Sequence, residues 1–383
     1  MVKTALERPQ LYRKLLKGKR LGLLTNPSGC DSHLRSSVEI LAENFDLRAL
    51  FGPEHGVNGD IQAGEIVEDR VNVRYGIPEY SLFSSGGMEG GVKRGIDPEH
   101  LKKIDLLIYD IQDIGSRFFT YIYSLANSMA DCAAAGIPLA IFDRPNPVGG
   151  VALEGTRLRE DRFTSFVGRY GMPARYGMTV GEFARFVNEY AHIGCDLTVI
   201  PCSGWRRAML FPDYASVNWM NPSPNLPTFE ATLIYNGSCF FEGTNISEGR
   251  GTTRPYEIVG APYIDAFRLA RRMNELKLPG VIFRETHFVP TWHKYKDELC
   301  HGVQFHLTDL RAFNGFETGV RLYYAIREMF PEFEVIRPKQ LDNLFGDDAL
   351  RLGGEPLEAL LARGRAESEA FRRETAQYLL YRR

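Results

Sequence analysis

A carboxylic acid and an imidazole stand side by side, as Glu54 and His55, in the stretch Phe51-Gly-Pro-Glu-His-Gly56. This stretch follows the apolar run Leu47–Leu50, which predicts a buried strand, and a Gly-Pro dipeptide ends the pattern. In open parallel sheets, ligands bind outside the carboxyl ends of the strands. The pair therefore lies where acid–base chemistry is expected, although an ordinary polar loop between strand and helix has the same composition.

Three further predicted strands also end in polar side chains. Because the carboxyl ends of parallel strands lie along one edge of a sheet, these groups are predicted to share a site with Glu54. The alternative is that Asp110 and Asp143 are helix caps or ion-pair partners of Arg117 and Arg144. The candidates after these strands are Asn26, Asp110, Asp113, Arg117, Asp143, Arg144 and Asn146.

A second polar cluster lies in the later stretch Phe241–Thr252. Three glycines stand there among Glu242, Asn245, Glu248 and Arg250, so the backbone is able to approach a ligand closely. The alternative interpretation is a surface loop.

Several enzyme classes lack their motifs in this sequence. There is no GxGxxG after the first strand, no GxxxxGK[ST], no GxSxG and no HExxH, so dehydrogenases, P-loop enzymes, serine hydrolases and zincins are disfavoured. The eight histidines are scattered, and neither a metal site nor a cofactor is predicted. What remains is a set of carboxylates, arginines and aromatic residues, which suits the hydrolysis of glycosidic bonds.

Strands alternate with helices through the first half of the chain. Apolar runs predict strands at 21–25, 47–50, 104–110, 138–142 and 197–200, and Thr179 with Glu182 fits a capping box. A helix is predicted from Ser116 to about Ala135, and Ser84–Gly91 is expected to be surface loop. The fold class is thus α/β: a Rossmann-like parallel sheet in residues 1–226, followed by a smaller α+β domain in residues 227–383, with a cleft between them.

Composition sets further limits on the 383-residue chain. The formal net charge of -2 gives no general field for nucleic acid, and no apolar run is long enough to span a membrane. The six cysteines show no zinc spacing, so free buried thiols are expected. The amino terminus has no signal-peptide core, which predicts a cytoplasmic protein unless a leader has been removed. The sequence makes no prediction of oligomeric state.

Seven motifs, in order along nearly the whole chain, resemble the exo-β-N-acetylmuramidase family. They are Leu23–Gly29, Phe51–Gly56, Asp110–Phe118, Asp143–Pro147, Glu154-Gly155, Ser223-Pro-Asn225 and Phe241–Asn245 continued by Gly249–Thr252. The resemblance implies a Rossmann-like domain, a smaller second domain and release of N-acetylmuramic acid from the non-reducing end of peptidoglycan fragments. It assigns the catalytic acid to Glu54, with Glu242, Glu154 and Asp113 as candidates for the second catalytic group.

N-acetylmuramic acid carries a lactyl carboxylate, which the planar guanidinium of arginine suits. Arg117, Arg144 and Arg250 are candidates for this contact, and Arg250 is favoured because its loop is flanked by glycines. The aromatic residues Phe118, Phe119 and Tyr121 are candidates for stacking on a sugar face, or else they are core. The other substrate-binding candidates are Asn26, His55, Asn146, Glu154 and Asn245. A non-catalytic sugar or nucleotide-sugar binding protein is the alternative function.

Overall fold

The computed structural model describes residues 2–62, 64–87, 91–93, 95–216 and 219–382, with only the backbone of 84–87 and 91–93. Its strands are β1 (Arg20–Thr25), β2 (Asp46–Gly52), β3 (Arg70–Asn72), β4 (Ile77–Ser81), β5 (Ser84–Gly87), β6 (Gly91–Lys93), β7 (Leu106–Asp110), β8 (Leu139–Phe142), β9 (Leu197–Ile200), β10 (Ile258–Ala261), β11 (Val281–Phe288) and β12 (Cys300–Leu307).

Helices lie between these strands along the chain and also form its carboxyl-terminal part. They are α1 (Pro9–Leu16), α2 (Ser37–Asn44), α3 (Pro98–Leu101), α4 (Tyr121–Ala135), α5 (Glu160–Phe163), α6 (Val180–Tyr190), α7 (Phe211–Tyr214), α8 (Phe229–Ser238), α9 (Ala266–Glu275), α10 (Gly315–Met329), α11 (Pro338–Phe345), α12 (Ala349–Leu352) and α13 (Leu357–Thr375). None of the helices in the described part of the chain is long and apolar enough to cross a membrane.

A seven-stranded sheet forms the centre of the first half, in the order β3-β4-β2-β1-β7-β8-β9. Every neighbouring pair is parallel except β3 with β4. All five residues of β7 are buried, and alternate residues belong to different hydrophobic clusters: Leu107 and Tyr109 to one, Leu106 and Ile108 to the other. Both faces of the sheet are therefore covered, as continuous apolar strands require.

A smaller antiparallel sheet, β10-β12-β11, follows in the second half of the chain. Helix α8 packs closely against α10: a Cβ added at Gly319 would lie 2.4 Å from the Cα of Gly237. These two sheets with their helices confirm the predicted α/β class with a smaller α+β part.

The capping box is also confirmed, since Thr179 accepts a hydrogen bond from the backbone of Glu182 at the start of α6. The predicted helix start at Ser116 is wrong. Helix α4 begins at Tyr121, because the backbone of residues 116–117 pairs instead with that of residues 174–175. The stretch predicted as loop at residues 84–91 instead contributes β5 and the start of β6, and its residues 88–90 lie outside the described part of the chain.

Candidate active site

A tight turn follows β2 and presents Glu54 and His55. A Cβ on Gly52 would lie 2.9 Å from the backbone nitrogen of Val57, so the chain folds directly back over this glycine. His55 has a φ of 75°, and the next residue, Gly56, has 78°. A left-handed backbone is uncommon for a histidine, so the turn holds this side chain in a specific direction at some conformational cost.

The carboxylate of Glu54 accepts hydrogen bonds at both oxygens. The hydroxyl of Thr120 donates to Oε2 at 2.7 Å, and the backbone nitrogen of Gly64 donates to Oε1 at 3.0 Å. Thr120 is the N-cap of α4, yet its side chain makes no capping bond and turns to Glu54 instead. These two donors fix the carboxyl group of Glu54 in one orientation at the carboxyl edge of the sheet.

Glu54 lines a small cavity, here called the inner cavity, with about 370 Å³ of empty space. The cavity lies between the turn after β2, the start of α4 and the segment 223–256. Its lining residues are Glu54, His55, Phe118, Phe119, Thr120, Ser223, Leu226, Tyr235, Arg250 and Tyr256. A second and wider cavity has about 1130 Å³ of empty space.

His55 is only 4% exposed, and burial lowers the pKa of its imidazole below the usual 6.5, although Glu54 opposes this effect. Its Nδ1 lies 2.7 Å from the carbonyl oxygen of Ile61. Since a carbonyl only accepts, Nδ1 carries the proton. In the neutral ring Nε2 is then an unprotonated acceptor.

Arg250 brings the positive charge of the inner cavity, and its side chain is 13% exposed. Its Nη2 donates to Glu242 Oε1 at 2.8 Å and also to the hydroxyl of Tyr256. Tyr256 donates in turn to the same Glu242 oxygen at 2.8 Å. The carboxylate of Glu242 and the phenol of Tyr256 thus hold the guanidinium of Arg250 in place.

A second carboxylate, Glu248, lies on the other side of Arg250, with 3.3 Å between Glu248 Oε1 and Arg250 Nε. Glu248 is fully buried and also pairs with Lys294 at 2.9 Å and His293 at 3.2 Å. Burial alone would raise the pKa of Glu248, but Lys294, His293 and Arg250 together hold it well below its usual range. Glu248 therefore stays ionised and ties Arg250 to the segment 293–294.

Glu242 does not line the inner cavity. Its two oxygens receive Arg250, Tyr256 and Gln340, so its carboxylate orients Arg250 and is not presented to a ligand. Loss of Arg250 would leave two largely buried carboxylates without this partner, so an Arg250→Ala variant is expected to lose stability as well as function. A change at this position that tests binding must therefore keep the positive charge.

Asp113, Asn146 and Asn26 were expected to share the edge with Glu54, but none of them lines the inner cavity. Asp113 is buried, accepts from the backbone of Gly115 and the hydroxyl of Tyr176, and has a pKa raised to about 6 by burial. Asn146 bonds to the backbone of residues 148 and 178. Asn26 accepts from its neighbour, Ser28.

Arg117 is also directed away from the inner cavity. Its Nη2 donates to the carbonyl oxygens of Leu344 and Phe345 at the end of α11, at 2.7 and 2.9 Å. Burial lowers the pKa of its guanidinium to about 10. Arg117 thus satisfies helix carbonyls that lack partners within the helix and complements the negative end of the helix dipole.

The remaining candidates have partners within the protein. Asp110 makes a buried bidentate pair with Arg144, at 2.6 and 3.0 Å, which is the ion-pair alternative raised above. Glu154 pairs with Arg175 in the interior. The other three form hydrogen bonds elsewhere. Asp143 accepts from the backbone of Gly181 at the start of α6, and Asn245 bonds to Tyr263 and to the backbone of residues 332 and 334. Tyr121 is fully buried and donates to the carbonyl of Pro222.

Of the predicted catalytic and substrate-binding residues, the structure brings together Glu54, His55 and Arg250. Phe118 and Phe119, the stacking candidates, also line the inner cavity. Sequence reasoning missed Thr120, Tyr235 and Tyr256, which carry no local signal of function. Ser223 belongs to the motif Ser223-Pro-Asn225, and that motif was the available signal.

In the described part of the chain, no group of three or more His, Cys, Asp or Glu side chains is arranged to hold a metal ion.

Comparison with known proteins identifies the family. A family model described as exo-beta-N-acetylmuramidase NamZ, N-terminal, matches residues 21–230, and the C-terminal model of the same family matches residues 233–381. Peptidoglycan beta-N-acetylmuramidase NamZ of Bacillus subtilis (strain 168) is 44% identical over 376 residues, 97% of this chain and 89% of that protein. The chain belongs to the exo-beta-N-acetylmuramidase NamZ family.

Two crystal structures share the fold. Both are DUF1343 family proteins from Bacteroides fragilis NCTC 9343, at TM-scores of 0.89 and 0.79 and identities of 34% and 30%. Each comparison covers 100% of this chain and 99% of the other. The resemblance drawn from the sequence motifs is thereby confirmed at the level of family and fold, and the domain boundary at residues 226–227 stays a prediction.

Proposed function

We propose that this exo-β-N-acetylmuramidase releases N-acetylmuramic acid from the non-reducing end of peptidoglycan fragments with Glu54 as its general acid. The observation that carries the proposal is the inner cavity, where Glu54 is the one carboxylic acid among the described lining residues and Arg250 is the one guanidinium. Glycoside hydrolysis needs an acid at the leaving oxygen, and this substrate adds an anion to be recognised.

The two hydrogen bonds to Glu54 fix the direction of its carboxyl group. In the reaction, Glu54 gives its proton to the glycosidic oxygen as the bond to the anomeric carbon breaks. Water must then supply the new oxygen at that carbon and lose a proton. We assign the receipt of this proton to the unprotonated Nε2 of His55, because Glu242, Glu154 and Asp113 are all held by other groups outside the inner cavity.

Arg250 is the proposed partner of the lactyl carboxylate. Its guanidinium is oriented by Glu242 and Glu248 and lies in the same cavity as the acid. Arg250 keeps both carboxylate partners when no lactyl group is bound, so the gain is that of one added charge-assisted hydrogen bond, about 1.5–3 kcal/mol, equivalent to a preference of about 10–10²-fold. This preference separates a muraminide from a glucosaminide, which lacks the lactyl group.

The test compares a chromogenic β-N-acetylmuraminide with the matching β-N-acetylglucosaminide. We expect turnover of the first, and turnover of the second about 10–10²-fold slower. Arg250→Lys keeps a cation between Glu242 and Glu248 but loses the planar fork, so the preference should fall by about 10-fold. Absence of turnover of either substrate would refute the enzyme assignment, and an unchanged preference in Arg250→Lys would refute the role of Arg250.

A further inference from the structure

A wider groove lies next to the inner cavity and is here called the outer groove. It has about 1130 Å³ of empty space and is lined in part by Gln62, Asn225, Thr252, Thr253, Phe288 and Trp292. Asn225 follows Ser223 of the inner cavity by two residues, and its side chain contacts Gln62 at 3.4 Å. On the other wall, Gly251 of the groove directly follows Arg250. The two spaces are therefore adjacent on both walls.

The chemistry of the two spaces differs. The inner cavity holds Glu54 and Arg250, whereas none of the described residues that line the outer groove carries a charge. The groove offers amides, hydroxyl groups and the rings of Phe288 and Trp292. Amides and hydroxyls bind sugar hydroxyl groups, and aromatic faces cover the apolar face of a sugar ring. A neutral saccharide fits this lining better than a peptide whose carboxylates need cationic partners.

Trp292 is held in a fixed relation to the inner cavity. Thr291 donates from its backbone nitrogen to the carbonyl of Gly251 at 2.9 Å, and a Cβ on Gly251 would lie 2.4 Å from the carbonyl oxygen of Trp292. The following two residues, His293 and Lys294, pair with Glu248, which also pairs with Arg250. The ring of Trp292 packs beside that of His293, with 5.2 Å between the ring centroids, and the residue as a whole remains 38% exposed and so accessible to a ligand.

We propose that the outer groove is the aglycone subsite, where Trp292 stacks against the neutral sugar that is joined to N-acetylmuramic acid through the bond to be broken. This inference rests on the proposed function, because it places the terminal sugar in the inner cavity. The terminal sugar is then recognised by charge and the next one by shape and stacking.

The experiment measures release of N-acetylmuramic acid from two substrates. One is the disaccharide with a β-linked N-acetylglucosamine as aglycone, and the other is methyl β-N-acetylmuraminide, whose aglycone is too small to reach the groove. Trp292→Ala should lower kcat/KM for the disaccharide by about 10-fold and change that for the methyl glycoside by less than about twofold. Trp292→Phe should restore most of the loss, because an aromatic ring remains.

Phe267→Ala is the matched control, since Phe267 is an exposed aromatic residue of α9 outside both spaces and this variant should leave both substrates unaffected. If the wild-type protein releases the sugar from neither substrate, the proposed function itself fails. If both are hydrolysed but Trp292→Ala slows both equally, or neither, the aglycone subsite is refuted. A loss confined to fragments that carry a peptide would assign the groove to the peptide and equally overturn the proposal.

Discussion

The replacement of Glu54 by glutamine separates acid catalysis from structure. Glutamine has the same shape, and its carbonyl oxygen still accepts one of the two bonds that Thr120 and Gly64 donate. If the amide nitrogen faces Thr120, the hydroxyl there rotates and accepts instead of donating. We therefore expect Glu54→Gln to change the free energy of unfolding by about 1 kcal/mol or less.

The catalytic cost should be far larger, and it should depend on the leaving group. General acid catalysis contributes about 10²–10⁴-fold, which corresponds to roughly 3–5 kcal/mol of transition-state stabilisation. A sugar alkoxide departs poorly unless it is protonated, whereas 4-nitrophenolate is a stable anion without a proton. Glu54→Gln should therefore slow the disaccharide by about 10²–10⁴-fold and the 4-nitrophenyl muraminide by about 10-fold or less.

The assay follows release of N-acetylmuramic acid from both substrates by the wild type, Glu54→Gln and Glu65→Gln. Glu65 is an exposed acid of the same loop, so Glu65→Gln controls for the loss of a charge without a catalytic group. Denaturant unfolding of each variant checks stability. An equal loss on the two substrates would show that Glu54 acts by binding or folding, and full activity on the disaccharide would remove it from catalysis.

Two further predictions concern buried groups. Burial lowers the pKa of His55 below 6.5, so the folded protein protonates this imidazole less readily than the unfolded chain does. The contribution of His55 to the free energy of unfolding should therefore be constant above neutral pH and decline as the pH falls from 6.5 toward the folded pKa. His55→Asn should flatten that part of a plot of unfolding midpoint against pH, and an unchanged slope would contradict the reasoning. Arg117→Met removes a donor from the carbonyls of Leu344 and Phe345 at the end of α11, and within the described part of the chain only Phe345 keeps another, the hydroxyl of Thr156. The variant should therefore lower the free energy of unfolding by about 1–3 kcal/mol and leave kcat/KM at 25 °C within about twofold. Activity lost without any loss of stability would place Arg117 in the site after all.

The sheet was predictable because its strands carry their own signal. β7, β8 and β9 are continuous apolar runs bounded by polar residues and turn formers, and a run of this kind is stable only when both faces are covered. The start of α4 was not predictable. Residues 116–117 pair with residues 174–175, nearly sixty positions later, and no local pattern records such a contact.

The same limit explains why most candidate site residues were not found together. A carboxylate at the end of a strand has the same local sequence whether it faces a ligand or a buried arginine. Asp110 faces Arg144 and Glu154 faces Arg175, and each pair satisfies charges that would otherwise be costly in the interior. Glu54 differs because its two hydrogen-bond donors, Thr120 and the backbone of Gly64, are neutral groups and not a buried arginine, and only the folded structure shows this.

The second half of the chain completes the site that the first half begins. Glu54 and His55 follow β2, while Arg250 arrives from a loop before β10, and its direction is set by Glu242 and Glu248. Buried apolar side chains close around this centre, chiefly Phe118, Phe119, Leu226 and Tyr235. Acid and cation thus meet in one cavity but come from different halves of the chain, so each half alone lacks one of the two groups that the proposed reaction needs.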